Sequence, residues 1–394
     1  MSDPWVTIIG VGEDGLDGVS AASRRALDRA DTIFGGPRHL ELVGAGPKGA
    51  AWPIPFSIAP VLAQQGRRVV VLASGDPFWF GAGSMLAEAL PAGAWCVHPA
   101  PSTFALVAAA LGWRMEVVQC IGLHAAPLPR LRPVLQDGAR LICTMRDGAA
   151  PAELAAYLCE AGFGASHLTV AEAMGGPRQR VRGCSADAFD IADVAAPVAV
   201  AIEVRGRGLS QASGLADDLF RSDGQITKQP VRALTLSALA PRVGEHLWDL
   251  GAGSGSISVE WCLAAAGASA SAMEVRADRA VNVAANAAQF GLDHRIRVTT
   301  ARVPEGLAAL PAPDAVFIGG GATEDMLTAV WHAMPSGARL VMNGVTLETE
   351  SLLAAWHATH GGRLMQVSIA EAEPLGRMRG WTAARPVTQW SVVK

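Results

Sequence analysis

Three glycines spaced one residue apart follow an apolar run and precede a helical stretch in the second half of the chain. The loop reads Asp249-Leu250-Gly251-Ala252-Gly253-Ser254-Gly255. A tight strand-to-helix turn needs residues that adopt positive φ at low cost, and a missing side chain lets backbone N–H groups approach a ligand. By itself, such a turn is typical of a dinucleotide-binding loop but also of a sharp connection that binds nothing.

Glu274 narrows the chemistry of this loop. The next apolar run ends at Glu274, 23 residues beyond Gly251. A carboxylate at that place can accept hydrogen bonds from both ribose hydroxyls of a nucleoside. NAD-binding chains share this logic but typically use GxGxxG, whereas the spacing here is Asp-x-Gly-x-Gly-x-Gly. The pattern favours S-adenosylmethionine over NAD. The alternative for Glu274 alone is a solvated carboxylate at a strand end.

The elements around these motifs predict an α/β protein. Short apolar runs alternate with Ala- and Leu-rich stretches along the chain, which indicates largely parallel sheets. The predicted strands are Val6–Ile9, Arg68–Ala73, Arg140–Met145, His167–Glu172, Val198–Val204, His246–Leu250, Ser269–Glu274, Ile296–Thr300, Ala315–Ile318, Arg339–Met342, Arg363–Ala372 and Thr388–Val393. The predicted helices of the second half are Ser256–Ala266, Ala277–Phe290, Glu305–Leu310, Glu324–Met334 and Glu348–Thr359.

The best domain boundary follows Val204. A polar stretch rich in Gly, Ser, Asp and Arg begins at Arg205 and runs to about Gln225. We therefore expect a first domain over residues 1–207, a linker over 208–222 and a second domain over 223–394. The second domain, with five βα steps and a terminal antiparallel hairpin, has the Rossmann-like class I methyltransferase layout.

Six segments of the second half resemble the decarboxylating precorrin methyltransferase domain of cobalamin biosynthesis. The resemblance covers about residues 223–394, and its most specific element is the Thr-Lys pair before the first strand. The segments are Gln225–Arg232, Asp249–Gly255, Glu274–Arg276, Ala301–Glu305, Phe317–Gly321 and Leu347–Thr349.

This resemblance implies roles for individual residues. It implies that Thr227 touches the cofactor, that the loop cradles its methionine part and that Glu274 takes the ribose. Ala301 would lie near the adenine. Arg302 stands where the family commonly has Asp. The glycines Gly319, Gly320 and Gly321 end the fourth strand at the same sheet edge, where a rim without side chains would admit a flat substrate. The alternative for them is a simple loop.

The first half carries a different set of motifs. Together they resemble the tetrapyrrole methylases over about residues 4–205, with the Gly-Asp-Pro element as the most specific piece. That family implies a two-lobed α/β fold with a cleft for S-adenosylmethionine, lined here by Gly10, Gly75, Asp76, Ser102 and Thr103. The motifs are Gly10–Gly15, Ser74–Gly81, Pro99–Phe104 and Ile121–His124.

Other side chains of the first half have both a functional and a structural interpretation. Asp76 is a catalytic candidate or a turn former before Pro77. His124 is a catalytic base or a structural histidine. Phe78, Trp79 and Phe80 are a tetrapyrrole platform, or else core or lobe-interface residues. The first loop reads Gly-Glu-Asp where the family commonly has Gly-Pro-Gly.

Composition limits the partners. The chain of 394 residues is 50% hydrophobic and 17% charged, with a net charge of −4, which argues against nucleic acid as a partner. The six cysteines form no CxxC pair, so we expect no metal and free thiols in a reducing compartment. The chain enters a strand within five residues and has no long apolar span, which predicts a cytoplasmic protein without signal peptide or membrane helix.

Both resemblances in one chain imply two S-adenosylmethionine sites and one combined reaction. That reaction is methylation of precorrin-6B at meso positions 5 and 15, with loss of carbon dioxide from the ring C acetate, giving precorrin-8X. The first domain would methylate C-5, and the second would methylate C-15 and decarboxylate. The alternatives are an RNA methyltransferase and a non-catalytic S-adenosylmethionine-binding regulator. Relatives of both halves form homo-oligomers.

Arginines suit the carboxylates of such a substrate, because guanidinium pairs bidentately with carboxylate. For each of them the alternative is an ordinary solvated surface charge. The candidates are Arg178, Arg180, Arg182, Arg377, Arg379 and Arg385.

Overall fold

A computed structural model describes residues 4–394 of the chain. The chain divides into two compact units. The first contains the residues up to Leu128 and Leu135–Arg207, and the second contains Pro129–Val134 and Gly208–Lys394. Within the described residues no helix is long and apolar enough to cross a membrane.

The first unit begins with a five-stranded parallel sheet in the order β3-β2-β4-β1-β5. Its central strands are short runs of β-branched and aliphatic residues that are buried on both faces, as in Val69-Val70-Val71-Leu72. The strands are β1 (Val6–Val11), β2 (Thr32–Gly35), β3 (Gly49–Ala51), β4 (Val69–Ser74) and β5 (Trp95–His98). The helices are α1 (Ala21–Arg29), α2 (Pro37–Leu42), α3 (Ala59–Leu62) and α4 (Ala82–Ala89).

The second sheet of this unit has the order β6-β7-β10-β8-β9. Only β6 and β7 are parallel, and the other three pairs are antiparallel. The expectation of largely parallel sheets is therefore wrong here, because a continuous apolar run shows that a strand is covered on both faces but not which way it points. The elements are α5 (Thr103–Leu111), β6 (Val118–Gly122), β7 (Arg140–Thr144), α6 (Ala150–Glu160), β8 (His167–Glu172), β9 (Arg180–Ser185) and β10 (Val198–Glu203).

The second unit is built on a seven-stranded sheet in the order β13-β12-β11-β14-β15-β19-β16. The first five strands are parallel, and β19 runs antiparallel to both of its neighbours. Strand order reverses between β11 and β14, the place where α/β sheets bind ligands. The strands are β11 (His246–Leu250), β12 (Ser269–Glu274), β13 (Ile296–Thr300), β14 (Ala315–Ile318), β15 (Arg339–Gly344), β16 (Arg363–Val367), β17 (Ala370–Leu375), β18 (Met378–Ala383) and β19 (Val387–Val393).

Helices pack on both faces of this sheet and form two buried clusters with it. Their starts are set locally: the Thr323 and Thr346 hydroxyls each accept a hydrogen bond from the backbone N–H three residues later. The helices are α7 (Gln229–Leu239), α8 (Ser256–Ala264), α9 (Ala277–Gln289), α10 (Glu324–Ala333) and α11 (Leu347–His360).

Two predicted elements of the second unit differ from the structure. Glu305–Leu310 contains only one 3-10 turn, Leu307–Ala309. Arg363–Ala372 is two strands: β16 pairs with β19, whereas β17 pairs with β18 in a separate two-stranded sheet. The pattern of these ten residues predicts a strand but not the break after which the chain joins another sheet.

The stretch expected as a linker over 208–222 packs on the second unit. Leu209, Leu215 and Phe220 are at most 6% exposed and lie in its core. Three apolar residues spaced five and six apart match neither helix nor strand periodicity, so the sequence pattern concealed this burial.

Candidate active sites

The glycine-rich loop joins β11 to α8 in the second unit. Gly251, Gly253 and Gly255 all have left-handed φ, between 60° and 74°, a conformation that costs other residues about 1–2 kcal/mol. The backbone N–H groups of Gly251 and Ala252 both donate to the Met273 carbonyl, at 2.9 and 3.0 Å. The loop is therefore held against the end of β12.

Glu274 stabilises the same loop through its side chain. Its carboxylate is nearly buried, with 4% exposure. Oε2 accepts the N–H of Gly253 at 2.8 Å, and Oε1 accepts the N–H of Arg276 at 3.0 Å. Each oxygen keeps one lone pair for a ligand. The side chain expected at the ribose thus lies beside the cofactor loop and also shapes it.

Asp249 begins the predicted cofactor loop, but the sequence pattern assigned no role to its side chain. It is fully buried; Oδ2 accepts the N–H and hydroxyl of Ser258 at 3.2 and 2.6 Å, while Oδ1 has no hydrogen-bond partner among residues 4–394. Burial raises the pKa of this carboxyl to about 6, against the hydrogen bonds from Ser258, which lower it. An uncompensated buried oxygen is costly unless a bound group uses it.

The rim of exposed glycines lies across the switch point from this loop. Gly319 N–H donates to the Leu250 carbonyl at 3.4 Å, so the ends of β11 and β14 are joined. Gly320 and Gly321 have φ of 155° and 68°, and a Cβ on either would meet no atom within 4 Å. Ala301, at the end of β13, is half-buried against Gly306.

Open space adjoins two of the three glycines of this loop. A Cβ at Gly251 would meet only the Gly320 oxygen at 3.8 Å, and one at Gly253 only the Gln225 oxygen at 4.0 Å. Glycine at these two positions clears a cradle, whereas a Cβ at Gly255 would lie 2.6 Å from Val283 Cγ1. Gly255 therefore serves packing between helices.

Thr227 is held by a buried arginine that sequence reasoning missed. Arg232 is 0% exposed; its Nη1 donates to the Thr227 carbonyl at 2.5 Å and to Asp217 Oδ1 at 3.0 Å. Its Nε donates to Glu260 Oε1 at 2.5 Å, and Glu260 also accepts the N–H groups of Gly214 and Leu215. This network fixes the whole segment before α7.

In the first unit, three loops meet at the carboxyl edge of the parallel sheet and lock together through their backbones. Gly75 N–H donates to the Val11 carbonyl and Gly75 O accepts from Ala100 N–H, both at 3.1 Å. A Cβ at Gly10 would overlap Gly75 O, and a Cβ at Gly75 would lie 2.7 Å from Ser102 Cα. These glycines therefore permit loop packing, and the cofactor roles expected for them remain predictions.

The other predicted residues of this edge have local structural partners. Asp76 Oδ1 accepts Phe78 N–H at 2.9 Å, as in an Asx turn. Ser102 caps α5 by accepting Ala105 N–H at 3.1 Å, and Thr103 is the first residue of that helix. These contacts favour the turn-former interpretation of Asp76 over a catalytic one.

Phe80 and His124 face each other at this edge. Their ring centroids are 6.3 Å apart, and His124 Nδ1 lies 3.3 Å from Thr144 Oγ1. Phe78, Trp79 and Phe80 are 41%, 42% and 60% exposed, so they line the surface beside the loops and are not core residues.

The candidate arginines separate into different environments. Arg180 and Arg182 both bind the buried carboxylate of Glu172, at 2.6 and 3.0 Å, and are used internally. Arg178 contacts Glu13. Arg377 and Arg379 are exposed on the hairpin of β17 and β18, and Arg385 is exposed after it. Among residues 4–394 no cluster of three His, Cys, Asp or Glu side chains could hold a metal ion.

Comparison with known proteins matches both units. Residues 218–394 match the family described as "Precorrin methyltransferase domain", and residues 6–190 match "Tetrapyrrole (Corrin/Porphyrin) Methylases". A Sinorhizobium sp precorrin-6Y C(5,15)-methyltransferase [decarboxylating] is 46% identical, covering 99% of this chain and 97% of its own. The Mycobacterium tuberculosis (strain CDC 1551 / Oshkosh) protein of the same name is 37% identical, covering 99% and 100%.

A solved structure is also similar to part of the chain. The C-terminal domain of precorrin-6Y C5,15-methyltransferase from Rhodobacter capsulatus is 54% identical, with a TM-score of 0.46, and covers 47% of this chain and 100% of its own.

Fold, loops and relatives together define the protein as an S-adenosylmethionine-dependent C-methyltransferase. The two α/β units carry its two unlike methyltransferase folds. More narrowly, the chain belongs to the family of the decarboxylating precorrin-6Y C(5,15)-methyltransferases.

Proposed function

We propose that this protein converts precorrin-6B into precorrin-8X in cobalamin biosynthesis, by methylating meso carbons 5 and 15 and removing the ring C acetate carboxyl as carbon dioxide. The observation that carries the proposal is that each unit gathers its predicted cofactor residues at the carboxyl edge of a parallel sheet. The 46% sequence identity with the decarboxylating relative from Sinorhizobium sp, which extends over 99% of the chain, supports the same reaction.

The proposed division of labour follows the two folds. The first unit would methylate C-5, and the second would methylate C-15 and decarboxylate, with one S-adenosylmethionine site on each and no metal. The cradle at Gly251 and Gly253 and the buried carboxylate of Glu274 support the second site. The loop cluster of Gly10, Gly75 and Ser102 supports the first.

Methyl transfer requires mainly that the protein hold the reacting groups in position. S-adenosylmethionine supplies an activated methyl group, and the enamine-like meso carbon of the reduced macrocycle is a good nucleophile. The loops need to hold carbon, methyl and sulfur in line with about 3 Å between the reacting atoms. Phe80 and Trp79 in the first unit can exclude water, since each is a large half-exposed ring beside the loops.

Decarboxylation also needs little from the protein. As the bond to the carboxyl carbon breaks, its electron pair moves into a protonated conjugated imine of the macrocycle, which acts as the electron sink. The second unit has to orient and partly desolvate that carboxylate, and the open rim of Gly319–Gly321 gives a flat substrate access to the loop.

The test is incubation of the full chain with precorrin-6B and methyl-¹³C-labelled S-adenosylmethionine, followed by mass spectrometry and NMR. The proposal expects two labelled methyl groups, at C-5 and C-15, and loss of one carbon dioxide. Glu274→Ala should lose the C-15 methyl and the carbon dioxide release. Gly75→Ala should lose the C-5 methyl. Methylated RNA with unchanged tetrapyrrole, or cofactor binding without transfer, would refute it.

We further propose a homo-oligomer that works in the cytoplasm. The hairpin of β17 and β18 exposes Leu375, Met378 and Trp381 by 69%, 75% and 78%. The hairpin also carries two glutamates, Glu371 and Glu373, and two arginines, Arg377 and Arg379, so two copies would be complementary in charge. All six cysteines are free, as in a reducing compartment. Light scattering should give a multiple of 40.8 kDa, reduced by Trp381→Glu; an unchanged monomer would refute the oligomer.

A further inference from the structure

A cluster of charged side chains lies at the carboxyl edge of the first parallel sheet, next to the loop of Gly75 and Asp76. Glu13 follows β1, Arg38 and His39 lie in α2 after β2, and Ser74 ends β4. Since β2, β4 and β1 are neighbours in the sheet, their carboxyl ends bring these four residues together. None of these four is a predicted site residue, whereas Arg178, which joins them, is one of the arginines predicted to suit a substrate carboxylate.

Glu13 joins two arginines that come from opposite parts of the first unit. Its side chain is only 7% exposed and forms an ion pair with Arg38 and another, at 3.5 Å, with Arg178. Arg178 lies between β8 and β9 of the second sheet. The adjoining Gly176 packs on the same residue, because a Cβ there would lie 2.5 Å from Glu13 Cβ. The two guanidinium groups are therefore held close by one carboxylate.

The cluster keeps an uncompensated positive charge. Two guanidinium groups face one carboxylate, and the His39 ring adds no charge of its own. Burial, together with the nearby Arg38 charge, lowers the pKa of His39 to about 4, so its ring is neutral at pH 7. Burial and the like charge of Arg178 also lower the pKa of Arg38. An anion would relieve this repulsion.

Donors remain available for that anion. The side chains of Arg38 and Arg178 are 36% and 68% exposed. Arg38 Nη2 donates to Ser74 Oγ at 3.1 Å, and the same hydroxyl is hydrogen-bonded to His39 Nε2 at 2.8 Å. A guanidinium carries five N–H donors, so each arginine has more donors than these contacts use, and N–H donors of this kind match a carboxylate.

We propose that Arg38 and Arg178 form a subsite for one carboxylate side chain of the tetrapyrrole at the first methylation centre, with Glu13 holding the pair together. This assignment rests on the proposed function, because that substrate is a polycarboxylate. In this arrangement the Glu13 carboxylate keeps two like charges within reach of one substrate group.

The experiment measures binding and turnover separately in the full chain. Precorrin-6B is titrated without S-adenosylmethionine and followed by absorbance, and labelled methyl transfer is then measured by NMR. Arg38→Ala and Arg178→Ala should each weaken tetrapyrrole binding at the first centre by about tenfold or more, the range for a charged hydrogen bond, with a matching rise in the KM of precorrin-6B for C-5 methylation. The KM for S-adenosylmethionine and the C-15 methylation should not change.

Controls separate the subsite from loss of fold. Arg67→Ala removes an exposed arginine of the same unit whose side chain bonds only to Gln64, and it should bind as the wild type does. Arg38→Lys should restore part of the affinity. Arg178→Ala truncates a side chain that is mostly in solvent, so its melting temperature should match the wild type.

Each outcome decides the proposal. Unchanged affinity in both alanine variants, with normal wild-type turnover, overturns the subsite and leaves the proposed function standing. Wild type that binds but does not methylate refutes the proposed function, while the variant affinities still decide the subsite. Wild type that does neither refutes both.

Discussion

The carboxylate of Glu274 accepts a hydrogen bond from the backbone N–H of Gly253, at 2.8 Å. The carboxyl end of β12 therefore shapes the loop that follows β11. Glu274→Gln would place an amide against one of the two N–H donors that the carboxylate now accepts. We expect affinity for S-adenosylhomocysteine at this site to fall about 10–100-fold by calorimetry, the cost of a charged hydrogen bond.

A matched control is Glu371→Gln, which neutralises an exposed carboxylate on the hairpin. It should leave the affinity unchanged. If both variants bind equally well, Glu274 has no part in the cofactor site.

Asp249 should make the stability of the second unit depend on pH. Burial raises its pKa from 3.8 to about 6, so the folded chain holds this proton more tightly than the unfolded chain. Its contribution to the free energy of unfolding is full below about pH 4 and is lost as pH rises through about 6, by at most about 3 kcal/mol. Asp249→Asn cannot ionise and should gain stability relative to wild type between pH 5 and pH 8. The measurement is denaturant unfolding of both proteins at pH 5 and pH 8. The same difference in free energy of unfolding between variant and wild type at both pH values would contradict this prediction.

Gly255 and Gly321 have nearly the same φ, 73° and 68°, in unlike surroundings. Alanine at either position has left-handed strain of about 1–2 kcal/mol. At Gly255 the new Cβ also lies 2.6 Å from Val283 Cγ1, which adds about 1–3 kcal/mol of overpacking. The melting temperature of Gly255→Ala should therefore be well below that of Gly321→Ala. Equal decreases in melting temperature would show that α8 and α9 shift to accommodate the new Cβ.

Arg232 should be the most costly arginine of the second unit to replace. Arg232→Met leaves the buried carboxylate of Glu260 without its cationic partner, so we expect a loss of about 3–5 kcal/mol in denaturant unfolding, with weaker cofactor binding because Thr227 is released. Arg242 pairs with Glu245 at the surface, and Arg242→Met should cost about 1 kcal/mol or less. Comparable losses would contradict the role of the buried network.

Truncation of the second unit tests the segment that the sequence marked as a linker. A fragment starting at Gly208 keeps Leu209, Leu215 and Phe220 in the core, and the N–H groups of Gly214 and Leu215 on Glu260. A fragment starting at Asp223 loses all of them. We expect the shorter fragment to aggregate or to melt at a much lower temperature in circular dichroism, whereas a true linker would be dispensable.

Local pattern predicted the second unit more fully than the first. The bounds of His246–Leu250 and Ser269–Glu274 are those expected. In the first unit β2, β3, β5, β6 and β9 were missed. They have three to six residues and several half-exposed positions. Such strands are too short to show a clear periodic pattern of apolar residues.

The candidate sites divide in the same way. Glycine spacing and Glu274 are local signals, so the sequence could suggest them. Arg38, Arg232 and Asp249 owe their importance to groups up to 140 residues away, such as Arg178 beside Arg38. Asp249 and Arg232 lie within sequence segments that were singled out, the glycine motif and Gln225–Arg232, but nothing local predicts that they are buried, and Arg38 carries no local signal at all.

The mutual packing of Gly10, Gly75 and Ser102 separates two kinds of position in the first unit. The backbone contacts leave these residues no freedom to vary without displacing each other. Neighbouring residues such as Glu13 and Phe80 extend their side chains from the same loops, and the packing of Gly10, Gly75 and Ser102 does not restrict them. A scaffold of this kind can exchange one tetrapyrrole for another during evolution by changing the projecting side chains alone, while its cofactor loops stay as they are.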